Sequence, residues 1–263
     1  DPTRSAPDLV GLDDAALAAA LVGQAAARAA RMRAEGVSAR TKENLADLVT
    51  EADVAAERLV VDALTRLRPE DGVVGEEGTT RPSRSGRTWV IDPVDGTYNF
   101  ATGTLYWCSA LALRDADGVL VGAVEHRGAG ESWLAVRGAG TFERGVAVPP
   151  LEDAPLSAVY LATYLHPARI ADPSIREPWL AATRGAATMR MLGSGSCELA
   201  AVAAGRIGAW AQPDVLEWDW LPGKALVEGA GGSTDVVDVA GHPWHLAGTP
   251  SAVADLRRAL EAG

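Results

Sequence analysis

The segment Trp89-Val90-Ile91-Asp92-Pro93-Val94-Asp95-Gly96-Thr97-Tyr98-Asn99-Phe100 runs bulky apolar residues into an acid, a proline and a second acid, then into Gly-Thr. Thr88–Ile91 reads as a buried strand that delivers Asp92 to the edge of a sheet, where Pro93 fixes the turn. Asp95 follows three residues later, just before a helix expected to start at Thr97. Two carboxylates at such a corner, with the Val94 carbonyl between them, form an oxygen-only donor set suited to a hard cation such as Mg²⁺. Gly96 permits close backbone approach, and the helix start behind it offers unpaired N–H groups to an anion. The competing explanation is an Asx turn with an ordinary helix cap.

Outward from that corner, the pattern is mixed. Asp13-Asp14 opens an Ala/Leu-rich helix over 14–34, and Thr50-Glu51-Ala52-Asp53 resembles a capping box before a helix that Pro69 ends. Gly72–Gly75 is a short strand leading into Glu76-Glu77, and the Ser/Arg/Gly-rich run 78–87 reads as a mobile loop. Strands are expected at 108–114, 119–126 and 131–137, joined as antiparallel hairpins. Val148-Pro149-Pro150 is the expected boundary between an N-terminal half, 1–150, and a C-terminal half, 151–263, of one catalytic unit. Beyond it lie strands at 158–163 and 207–212 and helices at 175–183, 194–205 and 219–228. Mixed hairpins and helices of this kind make a layered α/β or α+β fold.

Composition limits the partners. The chain has 263 residues, 48% hydrophobic and 22% charged, an ordinary globular balance that needs no disulfide or metal for folding. Its formal net charge of −11, with no basic stripe, argues against nucleic acid. No run of 18 apolar residues supports a membrane span, and no basic leader with an apolar core opens the chain. Its two cysteines, Cys108 and Cys197, lack metal or redox spacing, and the expected compartment is the cytoplasm. The informative acids are those at the ends of elements: Asp47, Glu76, Asp92, Asp95 and Asp219. Cys197, Trp89 and Trp107 are expected in the core, and the four histidines in surface or packing roles. Trp218 and Trp220 are expected to flank a pocket.

Four motifs in order, Asp47-Leu48-Val49-Thr50-Glu51-Ala52-Asp53, Gly75-Glu76-Glu77, the segment 89–100, and Trp218-Asp219 before a helix and a Gly pair, resemble the inositol monophosphatase family over residues 10–260. The resemblance implies a five-layered αβαβα sandwich, assembled as a homodimer, and a magnesium-dependent, lithium-sensitive phosphatase. It makes Glu76, Asp92 and the Val94 carbonyl ligands of one Mg²⁺, and Asp92, Asp95 and Asp219 ligands of a second. A third, weaker site would also use Glu76. Asp47 and Thr97 match the pair that activates the attacking water, and the Gly96 and Thr97 amides match the phosphate cradle. Five clustered acids accept a phosphate dianion only when divalent cations invert the local field, and two cations clamp an in-line displacement.

The recognition parts depart from the family. Gly193-Ser194-Gly195-Ser196 matches its substrate-contacting loop, but Gln212 stands where an acid commonly meets sugar hydroxyls. Trp220-Leu221-Pro222-Gly223 replaces small residues, with Pro222 placed in a first helical turn. The expected substrate is a small polyol or sugar monophosphate such as inositol monophosphate. Histidinol phosphate and a 3′-phosphonucleotide are the alternatives within the class, and a catalytically silent metal- or phosphate-binding regulator is the alternative outside it.

Overall fold

The computed structural model describes residues 9–36, 39–41 and 48–262. The helices are α1 (Asp14–Glu35), α2 (Glu51–Leu67), α3 (Thr97–Ala101), α4 (Pro173–Arg184), α5 (Gly195–Ala203), α6 (Glu217–Gly229) and α7 (Pro250–Ala262). The first strands, β1 (Ala39–Thr41) and β2 (Leu48–Thr50), pair with each other. Strands β3 (Gly72–Gly75), β4 (Thr80–Arg81), β5 (Thr88–Asp95), β6 (Cys108–Asp115), β7 (Gly118–His126), β8 (Glu131–Val136), β9 (Gly140–Glu143) and β10 (Val146–Ala147) form one sheet. Its order is β10-β9-β8-β7-β6-β5-β3-β4. Strands β11 (Tyr160–Thr163), β12 (Thr188–Arg190), β13 (Ala209–Pro213), β14 (Ser233–Val239) and β15 (His242–Gly248) form a second, in the order β12-β11-β13-β15-β14.

Helix faces decide the layering. Leu17, Leu21 and Ala25 of α1 and Val60 and Leu64 of α2 are buried against Trp89, Leu111 and Leu113 of the large sheet. On the sheet's other face, Leu199 and Val202 of α5 and Leu226 of α6 pack among Trp133, Trp210 and Ala247, and so fill the space between the two sheets. Leu256 and Leu260 of α7 and Ile175 of α4 cover the outer face of the small sheet. The sequence of layers is αβαβα, as the family resemblance implies. Where α6 crosses β7 the contact is tight: a Cβ on Gly122 would lie 2.6 Å from the Pro222 carbonyl oxygen.

Some local expectations change. The run 78–87 contains β4 and is tethered, because Arg81 donates to the Asp71 carbonyl (3.0 Å) and Ser85 to the Asp71 carboxylate (2.7 Å). Helix α6 begins at Glu217, so Asp219 is in its first turn and Pro222 lies inside the helix rather than in its opening turn. Among the described residues, no helix is long and apolar enough to cross a membrane.

Candidate active site

A register shift in β5 creates the central constellation. In a regular strand, residues three apart point to opposite faces. Here Asp92 pairs with Ala110 and Asp95 with Cys108, so one extra residue is bulged out between them. Pro93, which cannot donate a ladder hydrogen bond, sits in that bulge. The bulge is held by Ser109, whose hydroxyl donates to the Pro93 carbonyl (2.6 Å), and by Val94, whose amide donates to the Asp92 carboxylate (3.0 Å). The slip turns both acids to one side. Asp92 and Asp95 are buried, and with Asp219 from α6 they offer oxygens all within 4.8 Å of one another.

Glu76 arrives from the neighbouring strand. Strand β3 runs parallel to β5 with Gly75 opposite Ile91, and the Glu76 amide donates to the Ile91 carbonyl (3.2 Å), which sets Glu76 level with Asp92. Glu57 of α2 holds the turn beyond it, accepting from the Glu77 amide (2.8 Å) and from the Thr79 amide and hydroxyl (3.2 and 2.6 Å). Gly75 makes room for that carboxylate, since a Cβ there would lie 2.4 Å from it.

Burial pushes the Asp92 carboxyl well above the usual range, and Glu76, Asp95 and Asp219 push it further. Burial also raises Asp95, although donors from the Ser194–Ser196 segment offset part of the effect. Four acids packed this closely repel one another unless protons or cations intervene. Their all-oxygen chemistry fits hard divalent cations.

The 193–196 loop has a structural task at this site. The amides of Gly195 and Ser196, at the start of α5, donate to the Asp95 carboxylate (3.2 and 2.5 Å). Asn99 ties α3 to the same loop by donating to the Leu192 carbonyl (2.7 Å). Gly96 caps α3 with a left-handed φ of 91°, and a Cβ there would meet the Gly193 carbonyl at 3.0 Å and Ser194 at 3.1 Å. Glycine is therefore required by both conformation and space. Below the loop, buried Glu198 accepts from the Leu192 amide (2.8 Å) and from Trp210 Nε1 (3.0 Å).

Thr97 finds a partner that sequence reasoning passed over. Its hydroxyl lies 3.1 Å from Asp53 Oδ1 and 3.0 Å from the Val94 carbonyl, able to donate to either. The expected partner, Asp47, lies outside the described residues. Asp53 was legible only as a helix cap, and it does serve as one: its other oxygen accepts from the Thr50 amide (3.1 Å) and hydroxyl, completing a capping box on α2. The missed signal was the last acid of the motif 47–53, hidden by a local role that explains it equally well.

Gln212 and Asp219 line one cavity of about 190 Å³ with Tyr164, His166, Arg169 and Asp214. Asp214 is already satisfied there by Arg169 and by His242 Nδ1 (2.8 Å). Trp220 is in the core rather than at a pocket wall: it is 5% exposed, stacked on Trp210 at 5.7 Å and met edge-on by His245 at 5.1 Å. Bulk that threatened the pocket is thus absorbed between the sheets.

Comparison with known proteins places these features in a family. The model described as the inositol monophosphatase family matches residues 9–262. The inositol-1-monophosphatase of Bacillus subtilis is 30% identical over 242 residues, covering 88% of this chain and 89% of its own. The histidinol-phosphatase of Mycobacterium tuberculosis is 36% identical over 243 residues, covering 87% and 90%. Among solved structures, the extragenic suppressor protein suhB of Bartonella henselae superposes with a TM-score of 0.81 at 25% identity, over 92% of this chain and 98% of that one.

Proposed function

The chain belongs to the inositol monophosphatase family, and we propose that it is a Mg²⁺-dependent phosphomonoesterase that hydrolyses a small polyol or sugar phosphate. The observation that supports this most is the junction of two groups at one corner: the Asp92–Asp95–Asp219 carboxylates and the Thr97–Asp53 hydrogen bond. A silent metal-binding regulator would use the first group and have no need of the second.

Glu76, Asp92, Asp95, Asp219 and the Val94 carbonyl would hold two or three Mg²⁺. Bound there, the cations neutralise the phosphate and polarise it for attack. The Gly96 and Thr97 amides would orient the phosphate oxygens. Thr97 Oγ1 accepts a hydrogen bond from the incoming water while its own proton points to Asp53 Oδ1. Burial raises the Asp53 carboxyl, against the opposing hydrogen bonds of Thr50 and Thr97, which suits it to take up that proton. Asp53 is thereby proposed for this role beside Asp47, which the family resemblance matches to it and which lies outside the described residues. Li⁺ would inhibit by competing for one cation position, and the family implies a homodimer.

Gln212 offers a neutral carbonyl oxygen and an NH₂ donor to the substrate cavity. Among the described residues lining that cavity, the Asp214 charge is engaged by Arg169 and His242 and Asp219 is assigned to a cation, which leaves neither carboxylate to a substrate amine. This favours a neutral polyol. Histidinol phosphate is the second reading, favoured by the 36% identity to a histidinol-phosphatase. Phosphate release from inositol monophosphate, histidinol phosphate and a 3′-phosphonucleotide, with and without Mg²⁺, tests both. Tenfold preference for histidinol phosphate would overturn the polyol assignment, and no Mg²⁺-dependent release from any ester would overturn the function.

A further inference from the structure

The cavity that holds Gln212 and Asp219 has a cationic wall that the chemistry at the metal corner does not use. Its source is the turn after β11. His166 caps that turn, its Nδ1 accepting from the Ala168 amide (3.1 Å), and Pro167 fixes the first position, which brings Arg169 to the cavity. Facing it is Asp214, the residue after β13, in the left-handed region at a φ of 55° that aspartate tolerates. The Asp214 amide donates to the Pro243 carbonyl (2.8 Å), and its carboxylate accepts from Arg169 Nη2 and from His242 Nδ1 (2.8 Å). His242 is held in turn by Ser174 of α4, whose hydroxyl lies 3.1 Å from Nε2 and donates to Asp172 (2.6 Å). Strands β13 and β15 and helix α4 thus fix one carboxylate, and that carboxylate fixes the guanidinium.

Arg169 is only partly spent by this arrangement. A guanidinium carries N–H donors on each of its nitrogens. Those on Nη2 face Asp214 and the His242 ring, while Nε and Nη1 have no hydrogen-bond partner among the described residues. The side-chain amide of Gln212, on the same cavity, has none among them either.

We propose that Arg169 is a specificity-determining residue: with Gln212 it reads the hydroxyl groups on the alcohol part of the substrate. Its free N–H groups donate to hydroxyl oxygens, and the Gln212 oxygen accepts a hydroxyl proton. A hydroxyl is at once donor and acceptor, so this pair satisfies it from both sides. A ring without hydroxyls leaves the donors unmet, and a site built around hydroxyls rejects the analogue that lacks them. An alkylammonium group offers donors only, and its charge would face the guanidinium. Because Asp214 compensates the Arg169 charge, the wall favours neutral oxygens over a second phosphate. The proposal rests on the polyol phosphatase reading above and names the residue that makes the polyol preferred.

The test compares the whole chain with Arg169→Gln and Arg169→Lys on inositol monophosphate, on cyclohexyl phosphate, which has a six-carbon ring without hydroxyls, and on histidinol phosphate, all with Mg²⁺. Wild type should favour inositol monophosphate over both others. In Arg169→Gln the kcat/KM ratio of inositol monophosphate to cyclohexyl phosphate should fall about tenfold or more, as loss of a hydrogen bond from a charged donor predicts, mostly through KM for the inositol ester. The preference over histidinol phosphate should shrink with it. Arg169→Lys keeps a charge for Asp214 but spends its ammonium there, lacking the fork of a guanidinium, and should lose the same discrimination. A wild type that cleaves the two ring esters equally, an unchanged ratio in Arg169→Gln, or full discrimination in Arg169→Lys would overturn the inference. If no ester is hydrolysed the phosphatase function falls, and calorimetric binding of the two ring esters with Mg²⁺ decides separately: a wild-type preference for the inositol ester that Arg169→Gln loses upholds the role of Arg169, and equal binding overturns it.

Discussion

Replacing Asp53 with Asn separates two duties that one carboxylate performs. Asp53 presents one oxygen to Thr97 and the other to the Thr50 amide and hydroxyl. Asn has one oxygen and one NH₂, so it keeps one duty at a time. With its oxygen toward Thr50 the capping box survives, but the NH₂ faces Thr97 and no group there accepts a proton. With the oxygen toward Thr97, two donors confront each other at the helix start. The second arrangement costs about 1 kcal/mol for the cap and about 1–3 kcal/mol for an orphaned buried amide. The first is therefore the stable one, and it is the inactive one. Loss of a positioned base lowers turnover by about 10²–10⁴-fold. A cap defect shifts the melting temperature of a chain this size by about 2–4 °C per kcal/mol. Since domains hold about 5–15 kcal/mol in reserve, a small shift leaves the protein folded during assay. Turnover at saturating Mg²⁺, read beside a thermal melt, therefore distinguishes chemistry from stability. Thr97→Ala should lose activity similarly without touching the cap, and Asp47→Asn should retain more activity than Asp53→Asn. Asp53→Asn within tenfold of wild type, or Asp47→Asn as the more damaged variant, would refute the assignment.

Three further outcomes are expected. Gly75→Ala drives a methyl into the Glu57 carboxylate and should displace Glu76, raising the Mg²⁺ concentration needed for half-maximal activity about tenfold; an unchanged Mg²⁺ requirement would show that Glu76 is positioned by something else. Burial raises the Glu198 carboxyl to about 8 against the donors of Leu192, Trp210 and Gly193, so its stabilising contribution is present below its unfolded pKa and is lost as pH rises through the folded one. Stability of wild type from thermal melts should decline from about pH 5 to 8 by up to about 1.4 kcal/mol per pH unit and level off above that, and Glu198→Gln should flatten that decline; parallel profiles would contradict it. Asp219→Asn should reduce Mg²⁺-induced stabilisation, which for each site is about 2.7 kcal/mol at a hundredfold excess over Kd; a melt still raised by Mg²⁺ to the wild-type extent would remove Asp219 from the ligand set.

Much of this molecule is written in short-range pattern. A capping box and an Ala/Leu period are local physics, and each survives in place at α2 and α1, whereas the strand expected to end at Asp92-Pro93 runs on through Asp95, with Pro93 in a bulge rather than a turn. The acids Glu76, Asp92, Asp95 and Asp219 were legible because each ends an element beside apolar residues, where a charge needs a reason. Their convergence was not. Asp92 and Asp95 share a face only because β5 slips by one residue against β6, and strand register is set by pairing partners distant in sequence. Asp53 had a complete local explanation, so only its spatial neighbour Thr97 revealed a second use. Trp220 looked like a pocket wall until two sheets closed around it. Cys108 and Cys197, without motif spacing, share one core cluster because β6 and α5 pack across the layer between those sheets. Sequence determines what a residue can do by its chemistry and nearest neighbours; tertiary structure decides what it faces, because side chains that meet across layers are brought together by packing rather than by proximity along the chain.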